Sequence, residues 1–205
     1  IPIAVDPEVL PFALRGPAAR DVVSIATMFY PPNVEGVDWF GQKVWPLVRR
    51  TAPTVRFLVV GARPPAKISR LAASGTGIEV TGYVADLEPI FRRSALMVVP
   101  LRVGSGIRVK ILEAMARGLP VVSTPLGVEG IAAIPGQHLL VAEEPEGFAS
   151  AVIRLLKEPA LAARLSQAGR HLIENHYDWR RALRSLDQIY PPASAAITRV
   201  PSPAN

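Results

Sequence analysis

VVPLRVGSGIRVKILEAMARGLPVVS, residues 98–123, decides the reading of this 205-residue chain. An apolar stretch over 95–101 breaks into Arg102-Val103-Gly104-Ser105-Gly106, and a helical pattern carrying Glu113 follows. A second apolar stretch, 120–123, comes almost at once. Strand, glycine turn, helix and strand make one βαβ unit, with the turn at the carboxyl end of the first strand. Ligands of open parallel sheets bind at that edge. Small residues let a ligand approach the backbone, and the unpaired amides opening the next helix favour an anion. The stretch reads as a nucleotide diphosphate site.

Working outward, further strands are expected over 22–27, 55–61, 78–81 and 138–142. Apolar spacing predicts a helix over 33–51, capped by Asn33 and kinked or broken at Pro46. A modest helix is expected over 66–74. Asp86 caps a short one holding Leu87, Ile90 and Phe91. Three more are expected over 146–157, 160–175 and 178–189. Strands and helices alternate, and right-handed crossovers then give an α/β, Rossmann-like, three-layer domain, a parallel sheet with helices on both faces. It occupies 21–190. Residues 1–20, with four prolines, read as a linker, and 191–205, rich in Ala, Ser and Pro, as a flexible tail.

Composition sets bounds. Hydrophobic residues make up 49%, ample for a core on each side of a sheet. The lack of cysteine excludes disulfides and thiol chemistry. No apolar run approaches the ~18 residues of a membrane span, and no signal-peptide pattern opens the chain. The first residue is Ile1, which suggests a piece of a longer protein. The net charge of +6 suits an anionic ligand, nucleic acid or an acidic membrane equally. Its basic residues, such as Arg49-Arg50, Arg92-Arg93 and Arg180-Arg181, are scattered as solvated faces. They form no aromatic-interleaved stripe of the kind single strands need, so no nucleic-acid partner is expected.

Gly104-Ser105-Gly106 is no P-loop, lacking the Gly-Lys-Ser/Thr ending, and no dinucleotide fingerprint, lacking the third glycine. Taken alone, a tight turn needing positive φ explains it as well. Its place between two apolar strands favours phosphate. Lys110, Glu113 and Arg117 share one helix face. A surface ion pair worth under about 1 kcal/mol is the plain alternative. However, Ile111, Leu112, Ala114, Met115 and Ala116 bury most of that helix, and a carboxylate there suits the two hydroxyls of a ribose. Glu129 should face the same cleft, although a solvated loop explains it better. His138, His171 and His176 lack metal-ligand spacing and read as structural, so no metal site is expected.

GSGIRVKILEAMARGLPVVS, residues 104–123, resembles the donor-site signature of the retaining, nucleotide-sugar-dependent GT-B glycosyltransferases of the group 1 family. Phe29-Tyr30-Pro31-Pro32-Asn33 with Trp45-Pro46 is similar to that family's first loop and helix. Leu58-Val59-Val60-Gly61 is similar to its second strand, Val80-Thr81-Gly82-Tyr83-Val84 to its base-side loop, and Tyr177-Asp178-Trp179 to the segment before its last helix. The resemblance covers about 22–190. It implies one half of a GT-B fold, the C-terminal donor-binding domain, whose N-terminal acceptor domain is a missing partner. It also implies sugar transfer, of hexosyl type, from a nucleotide-sugar with retention, no cofactor besides that substrate, and little or no turnover by the isolated domain.

By the same likeness Glu113 holds the ribose. Gly104, Ser105 and the amides of Gly106, Ile107 and Arg108 face the diphosphate, and Tyr83, Val84 and Asp86 the base. No catalytic residue is assigned within the domain. The resemblance implies a cytoplasmic location and admits peripheral association with the inner face of a membrane. Two departures stand out. Ser105 occupies the place where the family often has a glutamate touching the transferred sugar. No basic residue lies between Thr27 and Gln42, where members commonly carry an Arg and a Lys for the diphosphate. Lys110 or Arg108 would compensate, Lys110 better because its charge is compact. A non-catalytic nucleotide-binding module, or another GT-B enzyme such as a nucleotide-sugar epimerase, are the alternatives.

Overall fold

A computed structural model describes residues 3–184 except 15 and 17. Among the described residues six strands are present: β1 (Asp21–Ile25), β2 (Phe57–Val60), β3 (Ile78–Gly82), β4 (Ser94–Val99), β5 (Val121–Ser123) and β6 (Leu140–Val141). All pair in parallel, in the order β3-β2-β1-β4-β5-β6. Successive side chains of a strand point to opposite faces. Accordingly Val22, Phe57, Val59, Leu96, Val98 and Val122 enter one core, and Val23, Leu58, Val60, Met97, Val99 and Val121 the other. A sheet apolar on both sides needs helices on both sides. The Rossmann-like three-layer fold expected from the alternating pattern is the fold observed.

The helices are α1 (Pro31–Trp39), α2 (Trp45–Thr51), α3 (Ala66–Ser69), α4 (Glu88–Arg93), α5 (Val109–Ala116), α6 (Pro145–Lys157), α7 (Pro159–Leu172) and α8 (Trp179–Ala182). Helices α1, α2 and α6 cover the first face through Val37, Val48, Phe148 and Val152. Aromatic rings key this core together: Phe40 lies 4.6 Å from Phe57 and 5.6 Å from Phe148, centroid to centroid. Helices α4 and α5 cover the second face through Phe91, Ile111, Leu112 and Met115, joined by Leu172 and Tyr177.

Several expectations need correction. The helix expected at 33–51 starts at Pro31, with Tyr30 and not Asn33 at the N-cap. Proline suits a first helical position, where its fixed φ fits and no N–H is required. The side chain of Asn33 is thereby free for other partners. The interruption at Pro46 takes the form of a π-turn, Phe40–Val44, between α1 and α2. A wider turn accommodates the ring and the missing N–H that an unbroken α-helix cannot. The helix expected at 66–74 shortens to α3 plus a 3-10 turn, Arg70–Ala72, and β6 is shorter than the strand expected at 138–142. Asp178 caps α8, its Oδ1 accepting from the Arg180 amide at 2.9 Å. Residues 185–189 of the helix expected at 178–189, and the tail at 191–205, lie outside the described residues.

The segment before β1 is tied to the domain. The Val5 amide donates to the Tyr177 carbonyl at 2.8 Å, and the Arg180 guanidinium bridges Asp6 at 2.9 Å and Glu8 at 2.7 Å.

Candidate functional site

Strands β1 and β4 are neighbours, and the chain proceeds from them to opposite halves of the sheet. A crevice opens outside their carboxyl ends, the position at which doubly wound folds take ligands. Two loops form its walls: 26–30, after β1, and 102–108, after β4.

The second loop is the glycine turn. Gly104 and Gly106 have φ of 109° and 88°, the left-handed region that a Cβ opposes. The turn is exposed and lies in ordinary contact with its neighbours: a Cβ on Gly104 would lie 3.4 Å from Arg108 Nη2 and 3.5 Å from Pro32 of α1, while one on Gly130 would lie 3.1 Å from Ile107. Arg108 folds back on the turn, donating from Nη1 to the carbonyls of Ser105 and Gly106. Its Nε is buried without a hydrogen-bond partner. The backbone amides of Gly106, Ile107 and Arg108 donate to no carbonyl among the described residues.

Helix α5 follows the turn and places Lys110, Glu113 and Arg117 on one wall of a cavity of about 150 Å³. Ile25 of β1, Met97 of β4, and Leu87 and Phe91 beside and within α4 line the remainder, with Leu10. The shared face expected of the three charged residues is present. The ion pair among them is not. Arg117 bonds Glu88 at 3.0 Å, its guanidinium 4.6 Å from the centre of the Phe91 ring. Lys110 donates to Asn33 Oδ1 at 3.0 Å. Glu113 is exposed and has no side-chain hydrogen bond or ion pair among the described residues. An acceptor-only group is thus left open at the cavity mouth.

Lys110 has no carboxylate within ion-pair distance among the described residues. Burial, with a smaller contribution from the nearby Arg108 cation, pushes its ammonium down to about 8. Its anchor, Asn33, also donates from Nδ2 to the Thr27 carbonyl at 3.0 Å. Asn33 thereby joins the first loop to α5, a link 77 positions long that local pattern did not reveal. The Pro-Pro pair before it is the signal that takes Asn33 off the cap.

The N-cap of α4 is Leu87 and not Asp86 as expected; Asp86 stands one residue earlier, where its Oδ1 accepts from the Glu88 amide at 2.9 Å, and α4 carries Phe91 to the cavity. Val84 packs against the second core, whereas the Tyr83 side chain is 76% exposed. Ser105 and Glu129 are exposed. All three histidines line one cavity of about 420 Å³ between the 132–138 loop and α7, a juxtaposition their spacing did not show. His138 Nδ1 accepts from the Ile134 amide at 2.9 Å, and burial, then the His176 charge, hold its pKa below the usual histidine value. No group of three or more His, Cys, Asp or Glu among the described residues is arranged to hold a metal ion. No helix among them is long and apolar enough to cross a membrane.

Strand order and glycine turn define a doubly wound α/β domain with its crevice at the β1/β4 switch. Comparison with known proteins supplies the family. The sequence profile of the glycosyl transferases group 1 family matches residues 19–158, and the chain belongs to that family. It is 30% identical over 158 residues to the D-inositol 3-phosphate glycosyltransferase of Rhodococcus opacus, covering 70% of this chain and 35% of that protein. Sucrose-phosphate synthase from Thermosynechococcus elongatus superposes with a TM-score of 0.75 at 22% identity, over 96% of this chain and 52% of that one. The C-terminal domain of a group 1 glycosyl transferase from Francisella tularensis superposes with a TM-score of 0.66 at 17% identity. That match covers 85% of this chain and 99% of that domain. The fold is therefore that of a GT-B C-terminal domain. The chain spans less than half the length of the curated relatives it matches.

Proposed function

We propose that this chain is the nucleotide-sugar-binding half of a retaining glycosyltransferase, the donor being substrate and no further cofactor taking part. The observation that carries the reading is the unpartnered Glu113 carboxylate at the mouth of a cavity it shares with Lys110, one turn into the helix that follows the glycine turn and its free amides. Glu113 accepts the ribose hydroxyls. The amides at 106–108 and the Lys110 ammonium take the diphosphate, with Arg108 bracing the turn. The base lies toward the 83–86 loop.

In this reaction the bond from the anomeric carbon to the diphosphate oxygen breaks. That carbon bonds an acceptor hydroxyl oxygen on the same face of the sugar, and the hydroxyl proton is released. Negative charge grows on the departing diphosphate, and preorganised amides with a half-buried cation stabilise it more in the transition state than before. The acceptor and the opposite wall come from an N-terminal half. Ser105, which cannot act as a carboxylate toward the sugar, leaves sugar recognition to that half or to Glu129. The names of relatives, including the D-inositol 3-phosphate glycosyltransferase, support transfer over a merely binding role.

Titration calorimetry of the chain against UDP, GDP and ADP tests the reading. One diphosphate should bind, and its 2′,3′-dideoxyribose analogue should bind at least tenfold more weakly. Equal affinity for the two would remove Glu113 from the ribose, and no binding of any diphosphate would overturn the reading.

A further inference from the structure

We propose that Asn33 is a positioning residue for the diphosphate: it fixes the Lys110 ammonium at the β1/β4 crevice while leaving its charge uncompensated. The inference rests on the reading of this crevice as a diphosphate site and adds to it the residue that makes one lysine serve where the first loop has no cation.

Three observations support it. First, Asn33 Oδ1 accepts from Lys110 Nζ at 3.0 Å, and its Nδ2 is itself fixed by the Thr27 carbonyl at 3.0 Å. Both ends of the amide are engaged, so its oxygen is held toward α5. Second, the backbone beneath it is constrained. A Cβ on Gly36 would stand 2.3 Å from the Pro100 carbonyl oxygen, so α1 lies against the end of β4 more closely than any other residue permits. Asn33, nearly one turn earlier, is carried to the crevice by that contact. Third, Lys110 borders both the narrow gap beneath Asn33, Gly36 and Pro100 and the cavity that holds Glu113.

The choice of amide over carboxylate is the chemical core of the argument. An aspartate at 33 would place Lys110 equally well but would neutralise it, and an anion would then gain little from the pair. A neutral oxygen orients the ammonium through one hydrogen bond and leaves the full charge for a ligand. Lysine also loses rotamer freedom when held, so a lysine already tethered binds a phosphate without that cost.

The test compares wild type, Asn33→Asp and Asn33→Leu, each checked for an unaltered circular dichroism spectrum. Calorimetry reads the affinity of the diphosphate that binds and of its uncharged nucleoside, and NMR of ¹³Cε-labelled lysine reads the Lys110 titration. Asn33→Asp should raise the Lys110 titration midpoint and weaken the diphosphate at least tenfold, with the nucleoside within twofold of wild type. Asn33→Leu should weaken the diphosphate severalfold without that rise. Diphosphate affinity unchanged in Asn33→Asp, or nucleoside and diphosphate weakened alike, would overturn the proposal while wild-type binding keeps the wider reading intact. Absence of any diphosphate binding by wild type would remove both.

Discussion

The guanidinium of Arg117 reaches Glu88 on α4 at 3.0 Å and leaves Glu113, one turn back on its own helix, without a partner. The pair ties α4 to α5 and releases a carboxylate at the cavity between them. Glu113 is exposed, so removing it disturbs no packing. Glu113→Ala should change stability by no more than about 0.5 kcal/mol. It should weaken nucleoside diphosphate binding by about 1–3 kcal/mol, the loss of hydrogen bonds to a charged acceptor. Thermal melts with and without ligand read both effects, and a large loss of apo stability would contradict the assignment.

The glycine turn makes a different kind of prediction. A Cβ on Gly106 would meet nothing closer than Arg108 Nη1 at 3.8 Å, so space does not forbid alanine there. Backbone conformation does, because φ is 88°. Gly106→Ala should cost about 1–2 kcal/mol from the left-handed penalty alone. If the chain relieves that strain by shifting the turn, the amides at 106–108 move with it and diphosphate affinity falls. Urea unfolding gives the first quantity and calorimetry the second.

Gly36 is limited by space instead. Its φ is not in the left-handed region, yet a Cβ would sit 2.3 Å from a backbone oxygen of Pro100. Neither partner is a flexible side chain, so α1 must move away from β4. Overpacking of this sort costs about 1–3 kcal/mol. Gly36→Ala should lower Tm and also the affinity for a diphosphate, since Asn33 travels with α1. Loss of stability with unchanged affinity would show that the crevice does not depend on this contact.

The fold was legible because its strands are short, apolar and separated by helical runs, signals that reside within ten residues or so. The glycine turn and Glu113 were legible for the same reason: turn, helix start and carboxylate are contiguous. Asn33 was not. Its local pattern suits a helix cap, and only a partner 77 positions away, Lys110, shows that the amide serves another purpose. The partner of Arg117 was equally hidden. Helical spacing offers Glu113, but tertiary packing against Phe91 draws the guanidinium to Glu88. The histidines repeat the lesson, since His138 meets His171 and His176 only through the path of the chain after β5.

Lys110 links the site to pH. Its ammonium titrates near 8, against 10.5 for the free side chain, because burial disfavours the charge and Arg108 adds repulsion. A lysine whose folded pKa is depressed costs stability while protonated. Below about pH 8 both folded and unfolded chains carry the proton and the cost is constant. Between 8 and 10.5 the unfolded chain binds more protons, so this residue's contribution to stability rises with pH. Lys110→Met keeps the stem and most of the helix propensity without the charge. Its Tm relative to wild type should therefore be most favourable at pH 7 and decline toward pH 10. Ligand binding has the opposite sense, since a diphosphate needs the protonated form. Wild-type affinity should fall by about tenfold from pH 7 to pH 9, while that of Lys110→Met, weaker at pH 7, stays nearly flat. Nucleoside binding should be alike in the two proteins at both values. Calorimetry at pH 7 and 9 decides the matter: parallel pH dependence in wild type and Lys110→Met would mean that another group, and not this ammonium, meets the diphosphate.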